Sequence, residues 1–331
     1  MRRSRKPIVI ASRRSRLART QAETIGRALQ RLHPRVRVEY RWIESHADRV
    51  LDQPLASLGG KGLFTSAIEQ ALLTGEADLA VHSLKDLPSE NTPGLTLAAI
   101  PTRADVRDCL IAPGQPVSFD ELPEHSVLGT SSPRRAGQAR RLRPDLQVQV
   151  LRGNVETRIR KVLEPEQDAR HYDATLLAAA GLTRLGLSEH LATAIATDVM
   201  LPAACQGALG IQCRTDDHVT LTRCLPLNDP AAAAAVHAER EVVAELIADC
   251  HSPIAVLCEP VEPGQTSRRQ HDAYWFRLRV RVLSRDGREC ATSDVRGRPT
   301  DLPRLVAETV ETLDRQQARR LLAEARGAQG E

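Results

Sequence analysis

GGKGLFTSAIEQALLTGEADLAVHS, residues 59–83, decides the fold. A glycine turn opens it, apolar residues at helical spacing follow, and a second glycine marks the helix end. A short apolar run then stops at the polar pair His82 and Ser83. Upstream, "PIVIAS" at residues 7–12 has the length and composition of a buried strand. A polar turn, "RRSR", leads from it into a helical stripe of Leu17, Ala18, Ile25, Ala28, Leu29 and Leu32. Val36, Val38, Tyr40 and Trp42 alternate as in a strand. The order is β-α-β-α-β, which predicts an α/β layer with a largely parallel sheet.

The pattern recurs downstream. "HSVLGTSSPRRAGQARRL" and "LQVQVLRGNVETRIRKVL" each read strand, turn, helix, and "YDATLLAAAGLTRLG" is a third instance. "GALGIQCR" has the character of a strand returning to the first unit. "AAAAAVHAEREVVAELI" is a helix opening a third unit, followed by strands near residues 254–258 and 274–283 and a final helix from Leu302. "RGAQGE" reads as a frayed tail. Three domains are expected: 1–105 with 204–227, 106–203, and 228–331, the last a smaller α/β domain.

Composition narrows the function. The chain has 331 residues, with 46 basic and 42 acidic side chains. A balance that close, with 2% aromatics, argues against a nucleic-acid protein. Only four of the basic residues are lysine: Lys6, Lys61, Lys85 and Lys161. Seven cysteines without C-x-x-C spacing suggest neither a disulfide framework nor a zinc site. Free thiols suit a reducing cytosol. The apolar run near the N-terminus is too short for a secretory signal, and no run reaches the ~20 residues of a membrane span. The expectation is a cytoplasmic protein with no membrane, nucleic-acid or metal partner.

Basic clusters recur just after a strand, at the start of a helix. They are Arg13 and Ser15 in "ASRRSR", Lys61 in "GGKG", Thr130, Ser131, Ser132, Arg134 and Arg135 in "GTSSPRR", Arg152, Asn154 and Arg158 in "LRGNVETR", and Arg184 in "GLTRLG". That edge of an open α/β sheet is where ligands bind, and helix N-termini there favour anions. Guanidinium forks and hydroxyls suit carboxylates or phosphates. Any single cluster is also readable as solvated arginine. Helix starts ordinarily prefer acids, so five basic exceptions argue together for a polyanion cleft.

Asp86, in "VHSLKDLP", is an acid in this basic neighbourhood. It reads either as a salt bridge to Lys85 or an arginine, or as a carboxylate that steadies a cation or moves a proton. Cys250 lies in a loop between a helix and a strand, either inert or a covalent attachment point. His82 and His251 read as hydrogen-bonded structural residues.

In order, "IASRRSRLA", "GGKGLF", "VHSLKDLP", "GTSSPRR", "LRGNVETR", "LLAAAGLTRLG" and "DCHSP" resemble the porphobilinogen deaminase (hydroxymethylbilane synthase) family over nearly the whole chain. The resemblance implies two periplasmic-binding-protein-like α/β domains with a cleft between them and a smaller domain carrying the cofactor loop. It implies a transferase of tetrapyrrole (haem) biosynthesis, condensing four porphobilinogen molecules with loss of ammonia and releasing hydroxymethylbilane. It implies a dipyrromethane cofactor held by a thioether to Cys250, and Asp86 as the catalytic residue. Lys85, Thr130, Ser131, Arg134, Arg135, Arg158 and Asp86 would hold that cofactor. Arg13, Ser15, Lys61, Phe64, Ser83, Arg152, Asn154, Arg184 and Gln206 would hold substrate. A monomer is implied, and hand-off of product to the next enzyme of the pathway is an open partner reading.

Two departures stand out. The family's glycines before the cofactor cysteine are replaced by "ADC", residues 248–250, and its "GQGA" is "CQGA", residues 205–208. Glycine reaches backbone angles that other residues reach at a cost. The rival reading is a non-catalytic small-anion-binding protein of periplasmic-binding-protein-like fold, which has the same use for the arginines and none for Cys250.

Overall fold

Strand β1 (Ile8–Arg13) is the apolar run after Pro7, with Ile8, Ile10 and Ala11 buried. In helix α1 (Arg16–Leu32), Ala22, Ile25 and Leu29 recur every three or four residues and form the buried face. Gly26 is required on that face, because a Cβ there would lie 2.2 Å from the Tyr40 hydroxyl. The computed structural model describes residues 6–44, 65–114, 118–164, 170–248, 252–262 and 274–327. Strand β2 (Val38–Ile43), helix α2 (Ser66–Leu73), strand β3 (Leu79–Ser83) and strand β4 (Leu95–Ala99) follow.

The chain divides into two compact units, Met1–Ala104 with Gly207–Ala233, and Asp105–Gln206 with Ala234–Glu331. The sheet of the first unit has the order β2-β1-β3-β9-β4, where β9 is Leu209–Arg214. β1 runs parallel to β2 and β3, while β9 is antiparallel to β3 and to β4. The predicted return of "GALGIQCR" to the first sheet is therefore what the structure has. Helix α6 (His218–Cys224) completes this unit's outer layer.

The second unit repeats the scheme. Its strands are β5 (Asp108–Ile111), β6 (Val127–Gly129), β7 (Gln147–Gln149) and β8 (Ala174–Ala178), in the order β5-β8-β6-β7. β6 is parallel to β7 and β8, and β5 is antiparallel. The connecting helices are α3 (Pro133–Leu142), α4 (Val155–Leu163) and α5 (Ala179–Leu185). In both sheets the first parallel strand lies between the second and third, so the chain reverses its direction of winding at that strand.

A third, antiparallel sheet belongs to the same second unit: β10 (Ile254–Val261), β11 (Trp275–Leu283) and β12 (Cys290–Gly297). Helices α7 (Pro230–Glu245), α8 (Leu302–Arg315) and α9 (Ala318–Gly327) cover it around Phe276, Leu278, Leu305 and Leu322. Burying each such side chain contributes roughly 1.5–3 kcal/mol. β12 carries little hydropathy signal because its fully buried residues, Ala291, Ser293 and Gly297, are small or polar and Val295 is only half-buried against the core, while Thr292 and Asp294 face out. The predicted final helix is two helices, broken at Gln316 and at Gln317, whose φ is +60°. The α/β class read from the sequence is the class of the structure, with open sheets throughout.

Candidate active site

Both sheets carry polar groups at the carboxyl ends of their parallel strands. In the first unit, β1 ends in Ser12 and Arg13, and Ser15 caps α1, its hydroxyl accepting the Ala18 N–H at 3.3 Å. β3 ends in His82 and Ser83, and a short 3-10 turn, Leu84–Asp86, follows at once. One pocket collects Ser12, Arg13, Ser15, Gln21, Thr65, His82, Ser83 and Asp86. The structure thus brings together four residues singled out in the sequence: Arg13, Ser15, Ser83 and Asp86. Asp86 is exposed and Lys85 half-buried.

Buried neutral groups hold this pocket from behind. Gln21 Nε2 lies 2.9 Å from Ser83 Oγ. His82 Nε2 lies 3.0 Å from Gln212 Oε1, and Gln212 Nε2 donates to Glu69 Oε1 at 2.9 Å. Because the Gln212 amide donates to Glu69, its carbonyl faces the imidazole, and His82 Nε2 carries the hydrogen. The hydrogen-bonded reading of His82 agrees with this. Thr65, buried at the start of α2, has a hydroxyl with no hydrogen-bond partner in the structure. Sequence reasoning passed over Gln21, Thr65 and Gln212, which lie in otherwise apolar helix and strand patterns.

In the second unit, Thr130 and Ser131 follow β6, and Ser132 caps α3 by accepting the Arg135 N–H at 3.4 Å. Arg134 and Arg135 occupy the first turn of α3 and are buried, at 4% and 6% exposure. Both meet the wholly buried Asp108 of β5. Arg135 Nη2 donates to Oδ1 at 2.6 Å, and Arg134 Nη1 lies 2.8 Å from Oδ2 as an ion pair off the hydrogen-bond line. Gln206 Nε2 donates to the same Oδ1 at 2.9 Å and to the Val106 carbonyl at 2.8 Å. Burial pushes the Asp108 carboxyl up, but the two guanidinium groups outweigh it and hold the group well below the carboxylate range. Asp108 was not singled out in the sequence; its signal is a lone acid opening the apolar run "DCLI".

Arg152 and Asn154 follow β7. Gly153 has φ +123°, and a Cβ there would lie 2.8 Å from Thr157 Cγ2. Asn154 Oδ1 accepts the Thr157 N–H at 2.8 Å, capping α4, and Arg158 Nε donates to the Gly153 carbonyl at 2.8 Å. Arg184 departs from the predicted placement. α5 begins directly at Ala179 after β8 and runs only to Leu185, so Arg184 lies in its last turn and not at its start. Burial lowers its guanidinium to about 10. Lys61, Phe64 and Cys250 lie outside the described residues.

The "CQGA" departure has a physical expression. Cys205 is buried with φ +61°, a left-handed conformation that glycine adopts freely. Glu239, fully buried on α7, holds the position by accepting the N–H of Cys205 and, at 2.7 Å, that of Cys258. Among the described residues no helix is long and apolar enough to cross a membrane, and no group of acidic, cysteine or histidine side chains could hold a metal.

A family model described as "Porphobilinogen deaminase, dipyromethane cofactor binding domain" matches residues 8–222. A porphobilinogen deaminase of Syntrophotalea carbinolica is 48% identical over 257 residues, covering 78% of this chain and 80% of the relative. One of Legionella pneumophila is 41% identical over 320 residues, covering 97% of this chain and 98% of the relative. Among solved structures, the effector-binding domain of BenM with benzoate aligns at TM-score 0.40 and 17% identity, over 66% of this chain and 87% of that one. The family match runs from β1 into α6, the Legionella relative extends through both units, and the chain belongs to the porphobilinogen deaminase family.

Proposed function

We infer that the protein condenses porphobilinogen head to tail into hydroxymethylbilane, a transferase reaction with loss of ammonia at each addition. The observation that carries this reading is the pocket of the first unit, where Asp86, Ser83, Arg13 and Ser15 converge at the ends of β1 and β3. Porphobilinogen carries an acetate and a propionate, so its oligomers are polyanions. Arg13 and Ser15, with Lys61 and Phe64 beyond the described residues, would seat the incoming unit. Arg152, Asn154 and Arg184 would receive the lengthening chain, and Gln206, buried with its Nε2 donating to Val106 and Asp108, would support the site from behind. Asp86 would accept hydrogen bonds from pyrrole N–H groups and steady the positive charge left on the substrate when ammonia departs. It would also take the proton lost from the pyrrole carbon as each new bond settles.

A dipyrromethane fits the donor set of the second unit. Arg134 and Arg135 place two cations against one carboxylate, and the Nε of each is buried without a hydrogen-bond partner. Those donors, with Thr130, Ser131, Arg158, Lys85 and Asp86, would hold its carboxylates and pyrroles, and Cys250 would carry the thioether. When bound, the cofactor supplies the terminal pyrrole to which substrate units are added. We further propose a cytoplasmic monomer whose product passes to the next enzyme of the pathway.

Asp86→Asn keeps the shape of the side chain and removes its charge. The expected result is a large loss of hydroxymethylbilane formation by a protein that still carries a two-pyrrole mass excess on the Cys250 peptide. Near-normal turnover would refute the role of Asp86. A wild type with the bare sequence mass, made where porphobilinogen is present, would refute the enzyme reading.

A further inference from the structure

Cations at a helix N-terminus meet the positive end of the dipole, and burial removes the water that would screen them. Arg134 and Arg135 accept both penalties in the first turn of α3. What holds them is Asp108, reaching from the neighbouring sheet edge. Arg134 Nη1 also donates to the Leu201 carbonyl and Arg135 Nη1 to the Leu176 carbonyl, each at 2.8 Å. One carboxylate between two guanidinium groups leaves one positive charge over, in a buried setting where it cannot be dissipated. Gln206 adds a neutral donor to the shared oxygen Oδ1 and fixes the carboxylate without altering the charge.

We propose that Asp108, supported by Gln206, is a positioning residue for carboxylate capture. It locks the two guanidinium groups in place, so that the surplus charge is offered to a ligand carboxylate at a fixed point. This rests on the reading that Arg134 and Arg135 receive carboxylates of the dipyrromethane. It differs in sign from a purely electrostatic view. If Asp108 only competed with the ligand for the arginines, neutralising it would tighten anion binding. If it positions them, neutralising it loosens binding although the net positive charge rises.

The test is cofactor loading, read as the fraction of molecules with the two-pyrrole mass, across a range of porphobilinogen concentrations and well below each variant's Tm. Asp108→Asn is expected to need about tenfold more porphobilinogen for half-loading, the worth of one charge-assisted bond. Asp108→Glu, which restores the charge, should recover part of the loss. Gln206→Leu keeps every charge and is expected to shift half-loading about threefold, the smaller worth of a neutral bond. It keeps the proposal testable if Asp108→Asn does not fold. Loading of Asp108→Asn equal to or above wild type overturns the proposal, as does an unshifted Gln206→Leu curve. A wild type without the mass excess overturns the enzyme reading and the proposal together, whereas a loaded wild type beside unaffected variants overturns the proposal alone.

Discussion

Asp86 and Asp108 are the same residue type at comparable places, each beside the end of a strand in an α/β sheet, and their surroundings are opposite. Asp86 stands in the open on a 3-10 turn, and the groups behind its pocket are tied by neutral amides, Gln21 to Ser83 and Gln212 to His82. Asp108 is sealed off and tied by two full charges. The contrast teaches how one fold divides its acids. A carboxylate on a wet face, in a pocket backed by neutral amides, stays available to a ligand. A carboxylate spent on buried guanidinium groups holds the scaffold.

The sharpest way to break the contrast is to neutralise each side in turn. Asp86→Asn should lower turnover by about 10²–10³-fold, the scale of losing one preorganised electrostatic partner, with Tm essentially unmoved. A matching fall in Tm would place Asp86 among the structural acids. Arg135→Met should do the reverse to the fold. Breaking a buried pair costs about 3 kcal/mol or more, visible as a lower urea midpoint; a midpoint equal to wild type would show that Asp108 needs only Arg134.

Acid sharpens the same distinction. The folded-state pKa of Asp108 lies below its unfolded value of about 3.9. Its contribution to stability is therefore complete above that value and is lost as pH falls toward the folded pKa. Urea unfolding between about pH 4 and pH 2 should show wild type losing stability more steeply than Asp108→Asn. Equal slopes would remove Asp108 from the acid limb. The smallest effect concerns the backbone. At Cys205 both Ala and Gly remove the sulfur, but only Gly relieves the left-handed φ, so Cys205→Gly should exceed Cys205→Ala in stability by about 1 kcal/mol. Equal stabilities would mean that Glu239 absorbs the strain.

The periodic elements were legible because apolar spacing dictates them: β1, α1, β3 and the returning β9 follow from runs such as "PIVIAS" and "GALGIQCR". β12 escaped because its buried residues are Ala, Ser and Gly, which carry little hydrophobic contrast. In the site, the polar bunching of "VHSLKDLP" pointed to the pocket that the fold assembles around Asp86. The arginines of "GTSSPRR" were legible as cations at a helix start, but their burial was not. It depends on Asp108, more than twenty residues earlier and brought alongside only by the antiparallel pairing of β5 with β8. Arg184 was misplaced for a related reason: nothing in "LLAAAGLTRLG" separates strand from helix, so the helix start could not be located by composition.

The place of β9 in the first sheet also bears on how the chain is made. β4 is paired, among the described strands, only with β9, and β9 is encoded more than a hundred residues later. A ribosome that has released residues 1–104 has therefore delivered a sheet with a naked β3 edge and a stranded β4. Closing it is a high-contact-order event that waits for the intervening segment. Nascent chains paused in that interval should be the ones that aggregate or recruit chaperones.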